Sequence, residues 1–305
     1  MAEPLASLAT GTTGPAARRV AGGGLVPRVL PELQPKPFIK WVGGKRRLLS
    51  ELLEELPDDF GRYHEPFVGG GALFFSLAAH ARRKGRWAVL SDANLRLVRT
   101  YRAVRDQVDG VIALLREHTR HHSKDHYYET RARKVDELDE AEAAAWFIYL
   151  NKTAFNGLYR VNRKGGFNVP IGRYDNPRIC DEPALRLASW ALQGAEIHHE
   201  DFRTVAERAD AGDIVYFDPP YVPLSTSANF TSYTRDGFTM DDQSGLRDVA
   251  AELKMRDVQV MLSNSDTPEV RELYRQGFDL KPVLCGRAIN CKGGKRGRVG
   301  ELVIT

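Results

Sequence analysis

The 305-residue sequence predicts an α/β protein, a mostly parallel, Rossmann-like sheet interrupted by an inserted, mainly helical module. Three observations predict it. HEPFVGGGALFFSLAA runs apolar residues into three glycines and out into an apolar helix, the strand, loop and helix that open a nucleotide-binding unit. DIVYFDPPY is another apolar strand, and it delivers polar residues at its C-terminal end. Between the two, the spacing of apolar residues switches to a helical period.

Residues 1–35 are rich in Ala, Gly, Thr and Pro, have no acidic residue beyond Glu3 and Glu32, and lack periodicity, which predicts a flexible tail. PFIKWVGGKRRLLSELLEELP, from Pro37, reads as a short extended piece, a turn at Gly43-Gly44 and an amphipathic helix ended by Pro57. The glycine unit comes next, then RWAVLSDAN, a strand ending at Asp92. LRLVRTYRAVRDQVDGVIALLREH and EAEAAAWFIYLNKTAF carry long helical patterns. After Gln193 short strands return in AEIHHEDF, DIVYFDPPY, DVQVMLSNS and GELVIT, alternating with helical segments such as MDDQSGLRDVAAELKMR. The expected division is a tail at 1–35, a discontinuous α/β domain at 36–94 plus 195–305, and the insertion at 95–194. No internal repeat at solenoid spacing is present.

A hydrophobic fraction of 42% with 28% charged residues describes a chain that buries a core without disulfide or metal staples, and excludes a fibrous or wholly disordered protein. No apolar run approaches the ~18 residues of a membrane-spanning helix, and the N-terminus lacks an apolar stretch with a cleavage site. A cytoplasmic location is expected. Cys180, Cys285 and Cys291 fit neither a disulfide framework nor a CxxC knuckle, in keeping with a reducing compartment. The net charge of +4 is mild, so its distribution matters more than its sum.

Gly69, Gly70 and Gly71 let a ligand approach the backbone where a helix begins, although a ligand-free tight turn has the same composition. Asp92 lies 21 positions beyond Gly71, where a carboxylate can accept from both hydroxyls of a ribose. The ligand is therefore expected to contain adenosine. The pattern does not decide between a dinucleotide and S-adenosylmethionine. Asp218, Pro219, Pro220 and Tyr221 suit one difficult reaction. The exocyclic amino group of a nucleobase is a poor nucleophile because its lone pair is delocalised into the ring. The Asp218 carboxylate and the Pro219 carbonyl, accepting its two N–H bonds, would free that lone pair for attack on a methyl sulfonium. The prolines hold that carbonyl rigid, and Tyr221 would stack on the base once it had left the duplex. The bland reading is a rigid turn after a buried strand.

With those residues in hand, the chain from Pro37 to Thr305 resembles the DNA adenine methylase (Dam) family of N6-adenine methyltransferases. The resemblance is carried, in order, by FIKWVGGK, EPFVGGG, LSDAN, YLNKTAFNGLYRVNRKGGFNVPIGRY, VYFDPPYVPLSTSANFTSY and NCKGGKRGRVGELVI. It implies the S-adenosylmethionine-dependent methyltransferase fold, with a DNA target-recognition domain inserted between the glycine-loop half and the DPPY half. It further implies S-adenosyl-L-methionine as cofactor and double-stranded DNA as partner. By this match Trp41, Lys45, Glu65, Pro66, Phe67, Gly69, Gly71, Asp92 and Asp218 line the cofactor pocket, and Asp201 and Phe202 touch the cofactor's adenine. Trp41 can offer an indole face to the sulfonium, and Lys45 can pair with the cofactor carboxylate or the acidic loop. Without the match, a core tryptophan and a surface lysine would be the plainer reading.

FNGLYRVNRKGGFNVPIGRY carries Arg160, Arg163, Lys164 and Arg173 with no acidic residue before Asp175, and Phe155, Tyr159, Phe167 and Tyr174 among them, which predicts a DNA-facing loop. The resemblance places Asn156, Leu158, Arg160, Pro170 and Arg173 near the bases, Phe155 as an intercalating wedge with Tyr174 nearby, and implies GATC as the target. A second basic stretch, Lys281 through Arg287, Lys292, Lys295, Arg296 and Arg298, reads as a phosphate-gripping loop whose binding weakens steeply with salt. His121-His122 and His198-His199 lack partners at metal-ligand spacing and read as surface or loop histidines. No cysteine follows a proline, which excludes the Pro-Cys nucleophile of cytosine-C5 methyltransferases.

The expected function is site-specific N6-methylation of a flipped adenine in duplex DNA, by direct transfer, without a metal. Action as a monomer is expected, with a cognate restriction endonuclease as a candidate partner. The alternatives are a catalytically idle DNA-binding regulator, transfer to cytosine N4 or to RNA, and a nicotinamide-dependent oxidoreductase. The last leaves DPPY and the basic stretches unexplained.

Overall fold

The computed structural model describes residues 34–41, 43, 45, 48–81, 87–221, 238–286 and 298–305. The flexible tail expected at 1–35 falls almost wholly outside these residues. Among the described residues one sheet is formed by β1 (Tyr63–Glu65), β2 (Ala88–Asp92), β3 (Ala195–His199), β4 (Ile214–Phe217), β5 (Gln259–Ser265), β6 (Leu280–Gly286) and β7 (Arg298–Ile304). Its order is β3-β2-β1-β4-β5-β7-β6. All neighbours are parallel except β7, which runs antiparallel to β5 and β6. The chain winds outward from β1 to β3, then returns to lay β4 on the other side of β1. That reversal opens a crevice beyond the C-terminal ends of β1 and β4, where open α/β sheets bind their ligands.

The central strands β1 and β4 are short and buried throughout, as strands covered on both faces must be, and β4 is apolar along its length. Along β4, Val215 and Phe217 face a core cluster with Leu246, Leu253 and Val270, while Ile214 and Tyr216 face the opposite one with Tyr63 and Met261. The two-residue period of a strand produces this division. At the far end from the crevice, the buried His64 Nε2 lies 2.9 Å from Asp213 Oδ2, and Asp213 also accepts from the Arg62 N–H at 2.7 Å. These bonds lock β1 to the start of β4.

The helices are α1 (Leu49–Glu54), α2 (Ala72–Ala81), α3 (Leu95–Asp106), α4 (Val108–Arg120), α5 (Lys124–Ala132), α6 (Glu140–Thr153), α7 (Glu182–Leu192), α8 (Val205–Arg208), α9 (Met240–Met255) and α10 (Pro268–Leu273). Helices α3 to α7 all fall between β2 and β3. The expected long helix after Asn94 is two helices, because Gln107 leaves helical geometry at φ −136° and ψ 34°. Helix α6 opens on a capping box between Asp139 and Glu142 and is buried on nearly every side through AAAWFIYL, which makes it the centre of the helical layer. Helix α3 also serves the sheet. Arg102 donates to the Ile197 carbonyl at 2.7 and 2.9 Å and Arg105 to the Ala195 carbonyl at 3.0 Å, satisfying the outer carbonyls of edge strand β3.

Two corrections concern the last third of the chain. LKPVLCG is a strand, β6, which Pro282 disguises; a proline is tolerated there because β6 is an edge strand. Lys281 consequently sits on β6, 2.6 Å from Glu55, and is not part of a phosphate-gripping loop. Arg287, Lys292, Lys295 and Arg296 lie outside the described residues. His198 and His199 end the edge strand β3, where His199 is exposed as expected and the half-buried His198 is 3.3 Å from Glu196. Residues Gln34–Thr305 form one compact unit. Among the described residues no helix is long and apolar enough to cross a membrane.

Candidate active site

The crevice is lined by the residues that end the strands. Asp218 follows β4, and its Oδ1 accepts from Ser263 Oγ of β5 at 3.1 Å and ion-pairs with Lys45 Nζ at 2.9 Å. Lys45 is 5% exposed, so it is a buried cation rather than a surface lysine. It also donates to the Tyr221 hydroxyl and lies 4.0 Å from that ring's centre. Tyr221 in turn donates to Glu301 of β7 at 2.8 Å. Burial pushes the Asp218 carboxyl up, and the Lys45 ammonium pulls it back. Burial raises the Tyr221 hydroxyl well above its ordinary range, with Asp218 and Glu301 adding to the effect.

Glu65 ends β1 and is fully buried. Burial pushes its carboxyl up to about 8, against a 2.9 Å hydrogen bond from the Tyr63 hydroxyl, and the charges acting on it come from Asp218 and Asp92 rather than from a cation. Asp92 ends β2. Its Oδ2 accepts from the Gly69 N–H at 3.1 Å and its Oδ1 from the Asn94 N–H at 2.9 Å, while burial raises it to about 6. This corner holds three acids, of which, among the described residues, Asp218 alone has an ion-pair partner, Lys45. It suits a ligand that brings a cation.

The glycine loop is held from both sides. Gly69 and Gly71 have φ of +45° and +65°, a backbone conformation that disfavours any side chain. A Cβ on Gly69 would lie 2.6 Å from the Trp41 indole. Trp41 is half-buried, stacked between this loop and the rings of Phe147 and Tyr159. The Tyr101 hydroxyl of α3 donates to the Gly69 carbonyl at 3.1 Å.

Pro66 continues β1 into Phe67, which stacks on Phe202 at 5.3 Å and meets Phe238 edge-on at 5.6 Å. These rings form an aromatic wall suited to a flat base. Asp201 is exposed and caps the turn that carries Phe202, accepting from the Arg203 side chain at 3.1 Å. Arg203 also reaches Asp242 at 3.0 Å, which ties this turn to α9.

The residues from Phe155 to Tyr174 form an irregular hairpin bridged at Ala154–Ile171 and Val161–Phe167. Phe155, Asn156, Arg160, Pro170 and Arg173 are exposed, and Leu158 and Tyr174 are half-buried. Arg160 Nε donates to Asn168 at 2.8 Å. Tyr159 and Phe167, grouped with the DNA-facing aromatics on composition, turn inward onto Phe147 and Trp146. Alternation along extended backbone sends them to the opposite face from Arg160. The hairpin touches the segment that precedes the crevice. Asn151, buried at the end of α6, exchanges two 2.7 Å hydrogen bonds with the main chain of Lys40 and donates to the Gly157 carbonyl at 3.2 Å. Lys40 lies 4.2 Å from the centre of the Tyr174 ring, and a Cβ on Gly157 would meet its side chain at 2.5 Å.

A family model described as D12 class N6 adenine-specific DNA methyltransferase matches residues 41–286. The chain belongs to this family. It is 42% identical over 276 residues to type II methyltransferase M1.LlaDCHI of Lactococcus lactis subsp. cremoris, covering 88% of this chain and 95% of that protein. It is 42% identical over 280 residues to type II methyltransferase M.MjaIII of Methanocaldococcus jannaschii, covering 87% and 96%. It is 36% identical over 270 residues to the DNA adenine methylase of Escherichia coli K12, covering 88% and 94%. The protein is an adenine-specific DNA methyltransferase with the α/β fold of S-adenosylmethionine-dependent methyltransferases. Its reaction implies a methyl donor and a DNA substrate.

In this methyltransferase the expected residues fall into two groups. Lys45, Glu65, Pro66, Phe67, Gly69, Gly71, Asp92, Phe202 and Asp218 to Tyr221 gather around the crevice with Trp41 at its side, while Phe155 to Tyr174 sit on the hairpin. Asp201 adjoins the first group with its carboxylate turned to Arg203. Sequence reasoning missed Glu301, Ser263, Asn264, Gln243 and Phe238. A signal existed for two of them: MLSNS ends an apolar strand in buried polar residues, the same feature that singled out Asp218.

Proposed function

We propose that this methyltransferase transfers the methyl group of S-adenosyl-L-methionine to the N6 amino group of an adenine turned out of duplex DNA, within GATC. The observation that carries the reading is the Asp218 carboxylate, placed with Pro219, Pro220 and Tyr221 at the sheet's switch point and tied to Lys45. The residues present fit the cofactor: the Phe67 and Phe202 wall suits its adenine, Asp92 its ribose, and the uncompensated Glu65 its positive end. When bound, it supplies the electrophilic methyl group. Asp218 and the Pro219 carbonyl accept the two N–H bonds of the adenine amino group and localise its lone pair. Tyr221, its hydroxyl anchored on Glu301, presents a fixed ring face for the base. The surplus proton on nitrogen leaves along the hydrogen bond to Asp218, which burial makes more basic than an exposed aspartate.

Exposed Phe155 supports its reading as the wedge, since an apolar ring that large gains by burial between base pairs. Asn156, Leu158, Arg160, Pro170 and Arg173 then lie near the bases, with Tyr174 beside them. GATC is supported by the likeness of this hairpin to the DNA adenine methylases.

The test uses labelled S-adenosylmethionine with two duplexes, one containing GATC and one with its adenine replaced, followed by digestion and identification of the modified base. N6-methyladenine only in the first supports reaction, cofactor and target together. N6-methyladenine formed at other adenines of both duplexes removes the target assignment, and N4-methylcytosine would overturn the adenine reading.

A further inference from the structure

Pro219 and Pro220 have no N–H groups, so at these residues the loop can be pinned only through its carbonyl oxygens. Proline fixes φ near about −65° but leaves ψ free, and ψ decides where the carbonyl points. A donor supplied from elsewhere must set it.

Gln243, on the first turn of α9 and 1% exposed, is that donor. Its Nε2 donates to the Pro220 carbonyl at 3.1 Å, and its Oε1 accepts from Asn264 Nδ2 at 3.0 Å. Asn264 is fully buried, and its Oδ1 accepts from the Ser265 N–H at 2.8 Å. The relay therefore has one sense. A main-chain N–H of β5 orients Asn264, Asn264 orients Gln243, and Gln243 aims at the proline loop. The start of α9 is itself held by the reciprocal Thr239–Asp242 capping box and by the Arg203–Asp242 pair. An apolar side chain of similar size would fill this space without the cost of burying an amide, so the amide is explained by the direction it imposes.

We propose that Gln243 is a positioning residue for methyl transfer. It fixes the peptide plane that follows Pro220, and through the stiff Pro-Pro pair it holds the Pro219 carbonyl and the Asp218 carboxylate where the adenine amino group meets them. The inference rests on Asp218 to Tyr221 being the catalytic loop, as proposed above.

The experiment compares Gln243→Met, Gln243→Glu and Asp218→Ala in the full chain, by single-turnover methylation rate, KM for S-adenosylmethionine and for duplex DNA, and Tm. Gln243→Met is expected to lose about 10- to 100-fold in rate, the scale of a small misplacement of reacting groups. Its two KM values should stay within about threefold of the parent. In Gln243→Glu, a protonated carboxyl can donate to the Pro220 carbonyl while an ionised one cannot, so the rate of this variant, relative to the parent, should rise as pH falls. Loss of packing alone gives no such dependence, and the Gln243→Met ratio should be flat with pH. If Gln243→Met fails to fold, the pH dependence of Gln243→Glu decides. A Gln243→Met rate within about twofold of the parent, or a Gln243→Glu ratio independent of pH, overturns the inference while an inactive Asp218→Ala leaves the catalytic loop standing. Turnover retained in Asp218→Ala removes the loop's role and this inference with it.

Discussion

The Lys45 ammonium lies 2.9 Å from Asp218 Oδ1, joining the segment before α1 to the residue after β4 across 173 positions of sequence, 218 minus 45. The pair keeps a half-buried aspartate ionisable. Asp218 is the stronger acceptor for an amino group, and can take its proton, as the carboxylate, and burial alone works against that form.

Lys45→Met should therefore move the acid limb of the pH–rate profile to higher pH. Removing one partner of a buried pair costs about 3–5 kcal/mol, and the loss here should fall at or below the low end because Asp218 is 22% exposed. A pH–rate profile and thermal melts check both. An acid limb that stays in place would mean that Lys45 does not control Asp218.

Glu65 and Asp92 make stability depend on pH in a stated direction. The folded Glu65 carboxyl titrates at about 8 against an ordinary 4.5, so between these values the folded chain holds a proton that the unfolded chain has released. Stability then falls as pH rises through that window and levels above it; Asp92 adds the same trend between 3.8 and about 6. The slope from one fully displaced proton is about 1.4 kcal/mol per pH unit. Urea unfolding from pH 5 to 8 should show the decline in the parent and a shallower one in Glu65→Gln.

Gly69→Ala should weaken cofactor binding more than Gly70→Ala. A methyl group on Gly69 meets the Trp41 indole at 2.6 Å and forces a side chain onto a backbone with φ +45°, whereas Gly70 has an ordinary φ and a nearest contact of 3.2 Å. Strain of this kind costs about 1–3 kcal/mol. Calorimetric titration with S-adenosylmethionine measures the difference, and equal affinities would separate the loop from the cofactor.

Exposure divides the hairpin into residues open to a ligand and residues that pack. Phe155→Ala removes a ring that is 43% exposed and should leave Tm nearly unchanged while reducing 2-aminopurine fluorescence at the target position. Tyr159→Ala empties a buried site and should cost about 3–5 kcal/mol, the range for large-to-small core changes. A Phe155→Ala protein that still turns out the base would remove the wedge.

What could be read beforehand was whatever the chain keeps contiguous. Strand, glycines and helix follow one another in HEPFVGGGALFFSLAA, and DPPY sits on the strand that presents it, so period and turn chemistry located both. Edge strand β6 was hidden because Pro282 argues against a strand wherever the neighbour is unknown. Tyr159 and Phe167 were misplaced because composition says which residues a hairpin holds and not which face they take. Glu301, Gln243 and Asn264 come from β7, α9 and β5, and only the folded sheet brings them to one loop. A side chain that acts through another leaves little trace in linear spacing.

Asn151 bonds to the main chain of Lys40 and to the carbonyl of Gly157, and Lys40 fills the space that a side chain at 157 would need. Anyone wishing to retarget this enzyme by transplanting a foreign hairpin would thus be grafting onto a joint rather than a free end. A transplant that keeps asparagine at 151 and glycine at 157 leaves this joint intact; one that alters either position disturbs the segment leading to Trp41 and Lys45 as well.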